Sequence, residues 1–158
     1  MTGQTTPIGA WRFDQTVAKR ALIWLVCLAP LFYASYGTAN WLASQRADVP
    51  NITFAWEHAI PFIAWTIFPY WSINLFYGLS LFSNDTPLEV DRLAKRYLTV
   101  QLIAVACFIA FPLTAIFQKP ATSGAAGFLF DMLGGFDKPF NQAPSLHIAL
   151  LAVIWSHW

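Results

Sequence analysis

Charged side chains are scarce in this sequence. Only 11% of its 158 residues are Asp, Glu, Lys or Arg, against about 25% in an average soluble domain. Nine basic residues nearly cancel eight acidic ones, so the formal net charge of +1 provides no strong field that would attract a polyanion. This composition excludes a nucleic-acid-binding protein, a disordered chain and an ordinary soluble globular domain.

Cysteine and histidine are rare as well, with two and three copies. Both cysteines, Cys27 and Cys107, lie inside apolar runs, where they act as small apolar side chains and are not expected to pair. A haem or metal site would need two of the histidines, His58, His147 and His157, to face each other. His58 has no companion at ligand spacing, so we predict neither a metal nor another cofactor.

Apolar residues make up 57% of the chain and fall in long uncharged runs at 21–43, 61–82, 98–117 and 144–158. About 20 apolar residues are needed for a helix to cross a hydrocarbon core of about 30 Å. The first three runs are long enough, whereas the fourth would cover only about 22 Å. We predict an all-α polytopic membrane bundle, with three full transmembrane helices and a truncated fourth, after a cytoplasmic segment at 1–20.

Basic residues are distributed unequally among the segments between these runs. Six of the nine lie in residues 1–20 and 83–97. Residues 44–60 contain one basic residue, and residues 118–143 contain two. By the positive-inside rule, the N terminus and the 83–97 loop are cytoplasmic and the 118–143 loop faces outward. Within the cytoplasmic loop, Thr86, Pro87 and Glu89 form a capping box with proline at the first helical position, which predicts a short polar helix leading into the third run.

The start of the fourth run favours an anion. If Pro144 occupies the first helical position, the backbone N–H groups of Ser145 and Leu146 are unpaired donors at a helix end that carries partial positive charge. The His147 side chain leans back toward the same end and can supply a proton.

Two lysines of the outer loop, Lys119 and Lys138, are the cations that could neutralise a phosphate bound there. The loop also contains a short apolar stretch at 128–133, which predicts a small interfacial helix. The alternative interpretation of the site is an ordinary helix start with an interfacial histidine.

Residues 140–149, Phe-Asn-Gln-Ala-Pro-Ser-Leu-His-Ile-Ala, resemble the second signature of the type-2 phosphatidic acid phosphatase superfamily, in which Pro-Ser-x-His opens a membrane helix. Leu146 and the Asn-Gln-Ala lead-in resemble the inositolphosphotransferase branch, which contains inositol-phosphorylceramide synthases. The whole chain resembles the N-terminal membrane half of bacterial members that are fused to a dual-specificity phosphatase. The resemblance implies that His147 is the general acid that protonates the leaving oxygen and that Ser145 binds phosphate.

The other two signatures of that superfamily are incomplete. Lys119 and Pro120 match the end of the first signature, Lys-(x)6-Arg-Pro, but Pro112 stands where its first lysine should be. The third signature, which supplies the nucleophilic histidine, is absent. We therefore expect a truncated membrane half that stops inside the bilayer and is inactive as it stands.

These patterns predict a partial lipid phosphatase or phosphotransferase domain in a bacterial inner membrane. Its partners would be the bilayer and a lipid-linked phosphate at the outer face, with no nucleic acid. Whether the chain is itself an enzyme stays open, because general acid catalysis needs a nucleophile as well. The alternative is a non-catalytic helical module that anchors the protein or binds a partner.

The predicted orientation is testable by cysteine labelling in a background without the two native cysteines. An impermeant thiol reagent applied to intact cells should modify a cysteine introduced at Ser123 and leave one introduced at Gly3 unmodified, because the basic residues hold the N terminus inside. Both sites should react after the cells are opened. Labelling of Gly3 with protection of Ser123 in intact cells would contradict the orientation.

Overall fold

The computed structural model describes residues 14–115 and 120–158, and the regular secondary structure in these ranges is helical. Two 3₁₀ turns, Ala55–Ala59 and Ala64–Thr66, precede the second α-helix. This confirms the predicted all-α class. The α-helices are α1 (Gln15–Ser44), α2 (Ile67–Phe82), α3 (Pro87–Ala110), α4 (Gly124–Phe136) and α5 (Leu146–Trp155).

Two of these helices are long and apolar enough to cross a membrane. They are α1, with 30 residues, and α3, with 24, which correspond to lengths of about 45 Å and 36 Å. The helices α4 and α5 are apolar but shorter. These two candidate membrane spans support the prediction of a membrane protein.

Helices α1 and α3 pack side by side and run parallel, because polar contacts join their first turns and also their last. Near the first turns, Arg20 donates through Nε and Nη2 to the Asp91 carboxylate at 2.6 and 2.8 Å, and Trp24 Nε1 donates to the same carboxylate at 2.7 Å. At the other end, Arg46 donates to the Ile109 carbonyl at 2.5 Å. Small buried residues let the two helices approach closely; they are Ala21, Ala39, Ala43, Ala94 and Ala104.

The start of α3 confirms the predicted capping box. Thr86 Oγ1 accepts a hydrogen bond from the Glu89 N–H at 3.3 Å, and Glu89 Oε2 accepts one from the Thr86 N–H at 3.0 Å. The helix then continues without a break to Ala110, so the short polar helix and the third apolar run form one element. The prediction that this helix extends through Pro112 is wrong, because proline lacks an N–H and disfavours helical backbone at Phe111.

The remaining helix ends depend on local chemistry more than on where the apolar runs begin. The first helix starts before residue 21, because Asp14 accepts a hydrogen bond from the Thr16 N–H at 2.7 Å and caps it. The second starts after residue 61, with Pro69 in its first turn, where a missing N–H leaves no hydrogen bond unmade. The predicted helix in the outer loop is α4.

Helix α5 runs in the direction opposite to α3 and ends beside the α2–α3 turn. His157, just after the helix, makes a 2.7 Å hydrogen bond between Nε2 and the Asn84 side-chain oxygen. At its start, His147 lines a cavity together with Gln101 from the middle of α3. Helix α5 therefore begins beside the middle of α3 and ends beside the start of α3.

The contacts of Asp91 generate a stability prediction. Asp91→Asn should lower the melting temperature of the detergent-solubilised chain by about 2–4 °C, because the amide loses the charged bonds to Arg20 and Trp24. Asp85→Asn, an exposed position in the preceding turn, is the matched control and should leave the melting temperature unchanged. Equal melting temperatures for Asp91→Asn and the unmodified chain would show that this contact does not stabilise the α1–α3 pair.

Candidate functional site

The fourth apolar run enters its helix two residues later than the sequence predicts. Ser145 has extended backbone angles and is the N-cap, and its Oγ accepts a hydrogen bond from the Ile148 N–H at 3.4 Å. Leu146, not Pro144, is the first helical residue. The predicted placement of Pro144 is wrong, because a serine N-cap satisfies a helical N–H that proline at that position cannot. The donors left free at this helix end belong to Leu146 and His147.

His147 lies in the first turn of α5 and packs against α2. Its imidazole ring is half-buried, and the ring centroid lies 4.8 Å from that of Tyr70. Its backbone carbonyl accepts a hydrogen bond from the Tyr77 hydroxyl at 2.7 Å. These two tyrosines fix both the ring and the backbone of His147 relative to α2.

His147 forms part of the wall of a cavity of about 150 Å³ enclosed by α1, α2, α3 and α5. Most of the lining is apolar, and polar groups are few, which is the usual composition of a site for a small amphiphilic ligand. Among the described residues that line the cavity, His147 is the one that can carry a positive charge. The polar lining residues are Tyr33, Tyr36, Asn74, Tyr77, Tyr97, Gln101 and His147.

Interhelical hydrogen bonds hold this lining in place. The hydroxyls of Ser80 and Tyr97 lie 2.8 Å apart, joining α2 to α3. Gln101 Nε2 donates to Ser35 Oγ at 3.0 Å, joining α3 to α1. Hydrogen bonds between helices in apolar surroundings restrict sliding and rotation of one helix against another, so the cavity has fixed walls on three sides.

A carboxylate lies close to this cavity. Asp137 follows α4 directly and accepts a hydrogen bond from the Tyr36 hydroxyl at 2.6 Å and another from the Tyr70 hydroxyl at 3.4 Å. Tyr36 also lines the cavity, and Tyr70 is the residue that packs on His147. The three polar groups Asp137, Tyr70 and His147 therefore form a continuous row, which sequence reasoning did not assign.

The predicted lysines do not join this row in the part of the chain that the structure describes. Lys138 is exposed and is not among the residues lining the cavity. Lys119 lies outside the described residues, so its predicted role in binding phosphate stays a prediction. The site residues that the structure brings together are Ser145 and His147 from the sequence prediction, joined by tyrosines and Asp137.

The three histidines of the chain belong to three different segments of the fold. His58 lies in the 3₁₀ turn Ala55–Ala59, and His157 follows the far end of α5, where burial and then the positive charge of Arg96 lower its pKa. The described ranges contain no group of three His, Cys, Asp or Glu side chains placed to hold a metal ion.

Comparison with known protein families, with curated proteins and with solved structures gives no match for this chain.

The N-cap role of Ser145 can be separated from a role in ligand binding. Ser145→Ala should lower the free energy of unfolding by about 1 kcal/mol, whereas Ser145→Asn should preserve it, because asparagine is also a good N-cap. Denaturant unfolding of the detergent-solubilised chain, followed by circular dichroism, measures both. Ser156→Ala, at the other end of α5, is the control and should change it by less than about 0.5 kcal/mol. Equal destabilisation by the alanine and asparagine variants would contradict the capping role.

Proposed function

We propose that this chain is the lipid-binding membrane domain of a lipid phosphatase or phosphotransferase related to the type-2 phosphatidic acid phosphatases. The acyl chains of the ligand would occupy the apolar part of the cavity, and its phosphate would lie at the start of α5. The supporting observation is the position of His147, a half-buried ionisable side chain in the wall of a mostly apolar cavity. Ionisable residues at such depth in a membrane bundle are costly and usually functional.

The proposed topology has α1, α2, α3 and α5 in a bacterial inner membrane, with the N terminus and the 83–97 loop cytoplasmic. The parallel directions of α1 and α3 and the opposite direction of α5 are consistent with this arrangement. In it, the segment 118–143 faces outward, and its last part folds back into the bundle to bring Asp137 and His147 together. The phosphate then lies below the outer surface and would be reached from the outer leaflet.

The proposed chemistry follows from the donors at the start of α5. A phosphate placed there meets the free N–H groups of Leu146 and His147, the positive end of the helix and the Ser145 hydroxyl. Protonated His147 would transfer its proton to the leaving oxygen as the bond from phosphorus to that oxygen breaks. The reaction also needs a nucleophile, which takes the place of the leaving oxygen on phosphorus.

The second candidate function is a non-catalytic membrane module that binds a lipid or a partner. The missing third signature, which would supply the nucleophilic histidine, favours this alternative for the chain taken alone. Both functions share the same first step, the capture of a phosphate-bearing lipid by the cavity. Binding and turnover therefore have to be measured separately.

Phosphate-dependent binding tests the proposal. The purified chain should bind phosphatidylglycerol more tightly than diacylglycerol with the same acyl chains, and His147→Ala should reduce this preference by about tenfold, because a charged hydrogen bond to phosphate is lost. His157→Ala is the matched control and should keep the preference. Competition with a fluorescent lipid in detergent micelles measures the affinities. Equal affinity of the unmodified chain for both lipids would overturn the proposal.

Turnover is the second readout. The chain alone should release no more phosphate from phosphatidic acid than its His147→Ala variant, because the sequence lacks the signature that supplies the nucleophilic histidine. Release above that level would show that the attacking group is present in this chain and would overturn the non-catalytic alternative.

A further inference from the structure

We propose that Asp137 binds the ammonium group of a lipid headgroup, so that the ligand of this cavity is an amine-bearing glycerophospholipid. This inference rests on the proposed function and specifies its substrate class. A phosphate at His147 and an ammonium at Asp137 would be recognised at the two ends of the row that Tyr70 connects.

The Asp137 carboxylate is held in place by hydrogen bonds and not by an ion pair with Lys or Arg among the described residues. The Tyr36 and Tyr70 hydroxyls both donate to Asp137, at 2.6 and 3.4 Å, and so orient the carboxylate. Within the described residues Asp137 makes no ion pair with a Lys or Arg side chain; Lys138, its neighbour in sequence, is exposed. A phosphate bound at His147 would take up the positive charge of that side chain, and a cationic ligand group would then offset the charge of the half-buried Asp137 carboxylate.

Contacts of neighbouring residues with α1 hold Asp137 in place. Phe136, the residue before it, stacks on Tyr36 with ring centroids 5.6 Å apart and also contacts Phe32 and Tyr33. The Asn141 side-chain amide donates to the Tyr36 backbone carbonyl at 3.3 Å. The chain is thus attached to α1 on both sides of Asp137, and the carboxylate cannot turn to solvent without losing these contacts.

The position of Asp137 matches the chemistry of an amine headgroup. The Tyr36 side chain lines the cavity, and its hydroxyl donates a hydrogen bond to Asp137. The Tyr36 side chain therefore connects the carboxylate to a lipid bound in the cavity. In an ethanolamine phosphodiester, two carbons separate the phosphate oxygen from the ammonium. A zwitterion of this kind presents opposite charges to His147 and Asp137, whereas a phosphate monoester would bring further negative charge toward the carboxylate.

The test compares lipids that differ only in the charge of the amine. The unmodified chain should bind phosphatidylethanolamine about tenfold more tightly than its N-acetyl derivative, which keeps the phosphodiester and loses the ammonium. Asp137→Asn should abolish this preference, while Asp48→Asn, at an exposed position before α2, should keep it. Because the lipid comparison uses the unmodified chain, it decides the proposal even if Asp137→Asn fails to fold. Equal affinity for the two lipids overturns it.

The failure of this inference can be distinguished from failure of the proposed function. Preference for phosphatidylglycerol over diacylglycerol, together with equal binding of the two ethanolamine lipids, would leave the phosphate site intact and remove the amine site. Equal binding of phosphatidylglycerol and diacylglycerol would rule out both the phosphate site and the amine site. Glycerophosphoethanolamine, the headgroup without acyl chains, should compete only at far higher concentration, since it cannot fill the apolar cavity; equally strong competition would contradict a lipid ligand.

Discussion

The parallel pairing of α1 and α3 is the contact on which the rest of the structure depends. In apolar surroundings there is little hydrophobic drive to bring two helices together, so close packing and polar contacts determine their alignment. This pair has a polar contact near its first turns, through Arg20 and Asp91, another in the middle, through Ser35 and Gln101, and a third at the far end. Three contacts along one interface allow a single register, and buried alanines on both helices allow a short separation.

That register places the groups which form the site. Tyr36, one residue after Ser35, is buried and contacts Phe108 of α3 with ring centroids 5.9 Å apart. Its hydroxyl is therefore presented at a defined depth, where it meets Asp137. A shift of α1 by one turn would move this hydroxyl by about 5.4 Å and separate it from the carboxylate. Site geometry is thus a consequence of how two helices far from α5 in sequence are aligned.

The long uncharged runs were sufficient to predict an all-helical chain with candidate membrane spans, and the chemistry of Thr86 and Glu89 was sufficient to predict where α3 begins. Local signals of this kind work because a cap or a proline acts on its own helix turn. The position of α5 could not be predicted in the same way. The point along the bundle at which α5 begins depends on the path of residues 137–145. Contacts of this segment with α1 decide that path, and the apolar run itself does not.

The candidate site shows the same division. Ser145 and His147 were found from the sequence, because a helix start with a nearby histidine is a local pattern. Asp137 was missed as a site residue, because its two phenol partners lie 101 and 67 residues away in the chain. No spacing rule links residues so far apart. A buried position for the aspartate could only follow from the folded path of the outer loop.

One short segment sets both ends of the proposed headgroup site. Residues 137–147 carry the carboxylate at one end and the histidine at the other, and between them the Phe140 carbonyl accepts a hydrogen bond from the Leu113 N–H at 3.2 Å. Attachment to α1 through Asn141, and to the chain after α3 through Phe140, limits how the two charged groups can move relative to each other. A site with opposite charges at a fixed separation selects a ligand by the distance between its own charges. Because the pair is neutral as a whole when His147 is protonated, a zwitterion can enter the apolar cavity without leaving a net charge buried there.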